Sequence, residues 1–330
     1  MAAEARTAMK REGWLQAVRD AAERVATRAR HVHVRHDRIA EYAAPLPLEE
    51  MRRPQLDPRF FYSGRSEDVA VFVVTLNTVN FGSGYWPHIR KRPGMSGFMT
   101  MASHLVDCFQ AHGPFSAAEL SSLAASDCAV LFGQEPGDGP CRELMSLYAR
   151  ALNDLGDLLS TQYEGSVVKM IRSAGGSAER LARSLTDMPL FRDVHEYDGL
   201  TVPIYKRAQI TPADLSLALR DHELGRFGDL DELTIFADNL VPHVLRIDGV
   251  LEYDGGLARR IDEQQPVEAG SSEEIEIRAV AIHAVELIVA ALRGLGREAR
   301  AMDVDYLLWN RGQQPAYKAR PRHRARSVYY

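Results

Sequence analysis

Residues 231–254 read DELTIFADNLVPHVLRIDGVLEYD, and the fold turns on what this stretch does. Leu233, Ile235, Phe236, Leu240, Val241, Val244, Leu245 and Ile247 are dense enough to predict a largely buried helical region, with Pro242 at a helix start. Asp238 falls inside it. A carboxylate among apolar side chains is costly unless something pairs with it. A helix cap or a structural ion pair would explain Asp238, and so would a reactive acid.

Outward from that stretch, the chain has 330 residues and is 45% hydrophobic, enough to bury a sizeable core. Forty basic residues against forty-five acidic ones leave a net charge of −5, so no global attraction to nucleic acid or an anionic membrane is expected. Any anion site must be local. Cys108, Cys128 and Cys141 are too few and too irregularly spaced for a disulfide framework or a structural zinc site, and a reducing cytoplasm is the natural reading. The longest apolar run, 69–76, is far too short to cross a bilayer. Glu4, Arg6, Lys10, Arg11 and Glu12 leave no apolar core for a secretory signal.

Residues 13–31 place Leu15, Val18, Ala22 and Val25 at helical spacing. The segment that follows, with Pro45, Pro47, Pro54 and Pro58, reads as an extended surface connection. His31, His33 and His36 alternate without a carboxylate or thiol partner nearby, so no metal is assigned to them. Periodicity alone cannot decide between strand and helix for 69–76. That run leads into Asn80, Phe81, Gly82, Ser83, Gly84, Tyr85 and Trp86, either a loop offering flat faces to a heterocycle or an ordinary loop with buried aromatics.

From 97 to 190 the pattern is helical, with a capping box at Ser116 and Glu119 and a helix beginning at Ser177. Asp198–Gly199 predicts a hairpin, a small β element near 193–206. Thr211, Pro212 and Asp214 read as a helix start, and the stem of Lys206 lies among apolar neighbours. Ser271 and Glu274 cap the clearest helix, which carries His283 and Glu286 near its apolar face and stops at Gly294 and Gly296. Asp303, Asp305, Tyr306, Trp309 and Asn310 then cluster ahead of a basic tail. The sum is a mainly α globular protein, one unit over 1–330 with an N-terminal helical segment 1–60 and a core 61–330. There is no GxGxxG, P-loop, HExxH, paired CxxC or GxSxG signature.

The segments IYKRAQI, LTIFADNLVPHVLRIDGVLEY, EEIEIRA followed by AVEL, DYLLWN and PRHRARSVYY, in this order and spacing, resemble the queuosine salvage protein family, the queuosine 5′-phosphate N-glycosidases. The resemblance runs from about residue 60 to the C-terminus. It implies a helical fold like that of helix-hairpin-helix DNA glycosylases. It also implies hydrolysis of queuosine 5′-monophosphate to queuine and ribose 5-phosphate, without cofactor or metal. By the same resemblance Asp238 is the catalytic carboxylate and Lys206 the second catalytic group, while Phe236, Asp305, Tyr306 and Asn310 recognise the base. Asn80, Phe81 and Trp86 are further wall residues, and Arg207 or the terminal arginines meet the phosphate. A nucleic-acid base glycosylase and a non-catalytic nucleoside-binding protein of tRNA modification are the alternatives. The expected partner is a small nucleotide, not nucleic acid or membrane.

Overall fold

The computed structural model describes residues 13–51, 56–135 and 137–330. The charges before residue 13, together with Pro54 and Pro136, lie outside the described residues. In chain order come α1 (Trp14–Arg28), β1 (Val32–Val34), α2 (His36–Ala43), α3 (Ser66–Thr78), α4 (Gly97–His112), α5 (Ala117–Ser122), α6 (Ala125–Leu131), α7 (Pro140–Gln162), α8 (Val167–Ser173) and α9 (Ala178–Leu185). Then follow β2 (Val194–Tyr197), β3 (Leu200–Pro203), α10 (Lys206–Ala218), α11 (Val241–Ile247), β4 (Leu251–Tyr253), α12 (Gly255–Asp262), α13 (Ser272–Gly294), α14 (Ala301–Gly312) and α15 (Pro315–Lys318). The protein is mainly helical, as its periodicity predicts. Its described strands form two antiparallel pairs, β1 with β4 and β2 with β3. No described helix is long and apolar enough to cross a membrane.

The chain divides into two compact units, each assembled from separate segments. The first takes 1–53, 193–206 and 229–325, and the second takes 54–192, 207–228 and 326–330.

In the first unit α13 is the central element. Ser271 caps it by accepting from the Glu274 amide at 3.3 Å, and residues on nearly every side of it are buried, from Ile275 through Val285 to Leu292. Helices α1, α2 and α14 and strand β1 pack against it. A helix apolar all round must also bury whatever charge it carries, and Glu274, Glu276 and Arg278 are all at most 1% exposed. Glu276 resolves this by accepting from the main-chain amides of Arg30, His31 and Val32 at 2.6–3.1 Å and from the Tyr197 hydroxyl at 2.8 Å. These bonds hold the entry to β1. The β2–β3 hairpin turns where expected, with Asp198 and Gly199 both at positive φ.

In the second unit α7 packs on α5 and α6, and α3 on α4, α7 and α8. The ambiguous run 69–76 is helical, inside α3. The run itself shows no period that would tell helix from strand, but Glu67 and Asp68 just ahead of it favour a helix N-terminus. The capping box of α5 at Ser116 and Glu119 is present, as is the cap of α9 at Ser177.

Three expectations are corrected. Residues 231–254 are not one helical region: a short turn at Leu230–Glu232 precedes an irregular buried stretch, and only Val241–Ile247 is helix. Apolar density reports burial, and an extended buried segment shows the same density as a helix. Helix α10 begins at Lys206, five residues before the expected Thr211–Pro212 start, and carries Pro212 inside it. Lastly, the proline-rich connection is not wholly at the surface, because Leu46 and Leu48 are buried.

Candidate active site

Asp238 lies in the first unit, in the irregular stretch just ahead of α11. Its Oδ1 accepts from the main-chain amides of Leu240 at 2.7 Å and Val241 at 3.1 Å, so it caps the helix from outside. Its Oδ2 makes no hydrogen bond or ion pair with any described residue, and the side chain is only half-buried. One oxygen is fixed and the other is open. This is the geometry of a carboxylate that can be aimed.

The main chain on either side of Asp238 is pinned. The Phe236 amide donates to Asp305 Oδ1 at 2.9 Å. The Ala237 carbonyl accepts from Arg278 Nε at 2.9 Å, and Asn239 Nδ2 donates to the His323 carbonyl at 3.2 Å. Gly312 of α14 allows close packing here, since a Cβ there would lie 2.8 Å from the Leu240 side chain. Phe236, 1% exposed, meets the Tyr306 ring edge-on with centroids 5.8 Å apart. Tyr306 and Asn310 are one helical turn apart on α14, Tyr306 half-buried and Asn310 exposed, and Asp305 is buried beside them.

Lys206 is 4% exposed. Its amide donates to Asp193 Oδ2 at 3.1 Å, and the preceding Tyr205, at positive φ, stacks on Trp14 with centroids 4.2 Å apart. Asp193 also receives a two-pronged bond from Arg278, at 2.9 and 2.6 Å, and a 2.8 Å contact from His195. Burial alone would raise the Asp193 pKa, but the charge of Arg278 and the bonds from His195 and Arg278 outweigh it, so the carboxyl is held well below the ordinary range. Arg278 thus grips both the carbonyl before Asp238 and the carboxylate that fixes the Lys206 amide.

Near Asp238 runs the segment 321–325. His323 is buried and its pKa is pushed down to about 3, by burial first and then by Arg278, Arg322 and His243. Arg322 is half-buried, and burial pulls its pKa down while the Asp238 carboxylate opposes that shift. His243 donates through Nε2 to the Tyr317 carbonyl at 3.0 Å. Asp303, a sequence candidate for polar contacts, is held in a two-pronged pair by Arg300 at 2.7 and 2.8 Å.

Asn80, Phe81, Trp86 and Arg207 belong to the second unit. Asn80 donates to Asn77 Oδ1 at 3.0 Å, and Asn77 donates in turn to Asp214. Phe81 is fully buried with its ring edge-on to Tyr148, while Trp86 is half-buried in a short turn. The guanidinium of Arg207 is sandwiched between the rings of Phe81 and Phe191, and it donates to the carbonyls of Thr78, Leu190 and Val328. Its charged head is thus turned inward and organises main chain.

Sequence reasoning missed Arg278 and Asp193. The signal was present: Glu274, Glu276 and Arg278 alternate with Ile275, Ile277 and Ala279, a pattern no polar helix face can accommodate.

Fold and site together define a mainly helical protein with a half-buried carboxylate two residues from an aromatic pair, its preceding carbonyl held by the same guanidinium that grips Asp193. A family model described as queuosine salvage protein matches residues 60–330. A Sphaerobacter thermophilus protein named queuosine 5′-phosphate N-glycosylase/hydrolase is 35% identical over 312 residues, covering 93% of this chain and 95% of that one. Proteins of the same name from Dictyostelium discoideum and Mus musculus are 32% and 33% identical, covering 80% and 57% of this chain and 79% and 58% of their own. The chain belongs to the queuosine salvage protein family.

Proposed function

We propose that the protein hydrolyses the N-glycosidic bond of queuosine 5′-monophosphate, releasing queuine and ribose 5-phosphate for salvage into tRNA. The observation that carries this reading is Asp238, with Oδ1 held by two amides and Oδ2 open. Departure of the base leaves positive charge on the ribosyl ring, and a carboxylate held against that ring stabilises it and aligns the attacking water. Water adds to C1′, its proton passes to Asp238 or solvent, and the bond electrons leave with the base. Lys206 is the second catalytic group, an ammonium that orients substrate oxygens.

Phe236, Tyr306, Asp305 and Asn310 recognise the base. The aromatic pair supplies an apolar wall, and the α14 side chains supply hydrogen bonds to a 7-deazaguanine and its cationic side arm. Asn80 and Trp86 are proposed as secondary substrate contacts carried by the second unit. Phe81 and Arg207 support their own unit. We read both units as one functional protein over 1–330, akin in fold to helix-hairpin-helix DNA glycosylases, acting in the cytoplasm on a free nucleotide. A net charge of −5 favours that substrate over nucleic acid.

The test is base release followed by chromatography. Wild-type protein is expected to free queuine from queuosine 5′-monophosphate and not from queuosine-containing tRNA or damaged DNA. Asp238→Asn should keep binding and lose turnover by several orders of magnitude. Absence of free base from the monophosphate would overturn the function, and near-normal turnover by Asp238→Asn would overturn the residue's role. Lys206→Ala should lower kcat; a change confined to KM would make it a binding residue only.

A further inference from the structure

We propose that the Trp14–Tyr205 ring stack is a positioning device for Lys206: it holds the chain in the left-handed turn from which the lysine enters α10, and turnover depends on it. This rests on the reading of Lys206 as the second catalytic group.

Only Ile204 and Tyr205 stand between the end of β3 at Pro203 and the start of α10 at Lys206. Tyr205 turns the chain there with φ at 54°. That conformation is costly for a residue with a bulky side chain, and glycine is the residue that adopts it freely. Among the described residues three other non-glycine positions share it, Glu164, Asp198 and Gln264, and all three are exposed. Tyr205 alone of the four is buried. A large ring persists in this region only where its surroundings fix it.

Two sets of contacts do so. Asp193 collects three consecutive amides, those of Ile204 at 2.9 Å and Tyr205 at 3.3 Å on its carbonyl and that of Lys206 at 3.1 Å on Oδ2. The second contact is the stack itself, with the Tyr205 and Trp14 rings within 16° of parallel and their centroids 4.2 Å apart. Trp14 is buried and is the first residue of α1, which packs on both α13 and β3, so the indole is a fixed surface. Bonds to Asp193 locate the main chain but leave the Tyr205 ring undirected. A plane-on-plane contact inside the core selects one orientation of that ring and, with it, the turn.

The next residue is Lys206, so any relaxation of the Tyr205 backbone displaces the stem of a side chain that is itself buried. Misplacing a catalytic group by about 1 Å is enough to cost roughly 100-fold in rate.

The experiment measures steady-state hydrolysis of queuosine 5′-monophosphate by the wild type, Trp14→Ala, Trp14→Phe, Tyr205→Gly and Lys206→Ala, at a temperature where each is folded. kcat should fall by about 10- to 100-fold in Trp14→Ala and Tyr205→Gly, with KM within about threefold of wild type, and recover in part in Trp14→Phe, whose ring still stacks. Tyr205→Gly separates positioning from packing. Glycine favours this turn, so a ring that only fills space would leave kcat near wild type even as stability falls, and that result overturns the proposal. Adding Trp14→Ala to Lys206→Ala should lower kcat no further than Lys206→Ala alone; an additive loss means that the stack does not act through the lysine and also overturns it. Amide hydrogen exchange gives a readout independent of turnover. Exchange at residues 204–206 should quicken in Trp14→Ala and Tyr205→Gly, and unchanged exchange there overturns the positioning role. If exchange quickens but Lys206→Ala turns over normally, the reading of Lys206 is what fails: the stack still holds the turn but serves no catalytic group.

Discussion

Asp238 caps α11 and is the proposed catalytic carboxylate, and substitutions separate the two roles. As a cap, it satisfies two amides at the start of α11 that would otherwise be unpaired. Asparagine keeps an acceptor oxygen in the same place, so Asp238→Asn should leave stability within about 0.5 kcal/mol of wild type. Asp238→Ala removes the cap and should cost about 1 kcal/mol in urea unfolding. Both should abolish turnover. If only the alanine variant loses activity, the cap and not the charge is what catalysis requires. Arg207 is the opposite case, a cation whose charge does structural work. Its guanidinium meets the carbonyls of Thr78, Leu190 and Val328 between two aromatic rings. Arg207→Met should destabilise the protein by about 3–5 kcal/mol, because buried carbonyls lose their donors. Arg207→Lys should rescue little of this, since an ammonium lacks the planar fork. Chemical denaturation measures both, and a loss below about 1 kcal/mol in Arg207→Met would return Arg207 to the list of residues free to meet substrate.

Among the elements, α13 carries the most consequence for the site. One of its residues, Arg278, bonds the carbonyl before Asp238 and the carboxylate of Asp193, and Asp193 receives the Lys206 amide. A single guanidinium therefore sets the spacing of two chain segments that bear the proposed catalytic groups. Arg278→Lys should lower kcat more than it raises KM for the same protein, because it loosens positioning without touching substrate. Steady-state kinetics checks this, and a change in KM alone would rule out the positioning role. Local signals in the sequence had already indicated where several elements start: the capping boxes at Ser116 and Ser271, the cap at Ser177 and the Asp198–Gly199 turn all form as their chemistry dictates. Each depends on residues within a few positions of one another. Residues 69–76 and 233–240 were not legible in the same way, because burial on all sides erases the periodicity that distinguishes helix from extended chain. The Lys206 start of α10 was hidden for another reason. It depends on Asp193, thirteen residues earlier, accepting the first amide. Asp238, Phe236 and Asp305 were recoverable as site candidates, and Asp305 does meet the Phe236 amide. Arg278 was legible only as a charge in an apolar helix and not by its role, since its partners lie 41 and 85 residues away.

At the scale of the whole molecule, the chain passes between its two units five times, and buried titratable groups make its stability depend on pH. His323 dominates the mildly acidic range. Its ordinary pKa is 6.5 and its folded value about 3, because burial and the charges of Arg278 and Arg322 disfavour the imidazolium. Between those values the unfolded chain holds a proton that the folded chain does not, so acid favours unfolding. The stability associated with a neutral His323 is therefore complete above about pH 6.5 and declines as pH falls toward 3. At roughly 1.4 kcal/mol per pH unit, lowering the pH from about 6.5 to 4.5 should cost about 2–3 kcal/mol from this residue. His243, whose pKa burial also lowers, acts in the same direction. Asp193 does too, but only below its ordinary value of 3.8. Glu286 works against them, since burial raises its pKa and acid then favours the folded state. A single pH curve mixes these contributions, so the measurement is a difference. Urea unfolding of wild type and His323→Gln is compared near pH 7, 5.5 and 4.5. The substitution itself costs a constant amount for lost packing, and His323 is identified by slope alone: the wild-type stability should fall by about 2–3 kcal/mol more than that of the variant across this range. Parallel curves would mean that His323 stays ordinary in the folded protein, and the packing of segment 321–325 against Asn239 would have to be looser than the His323–Asn239 bond implies.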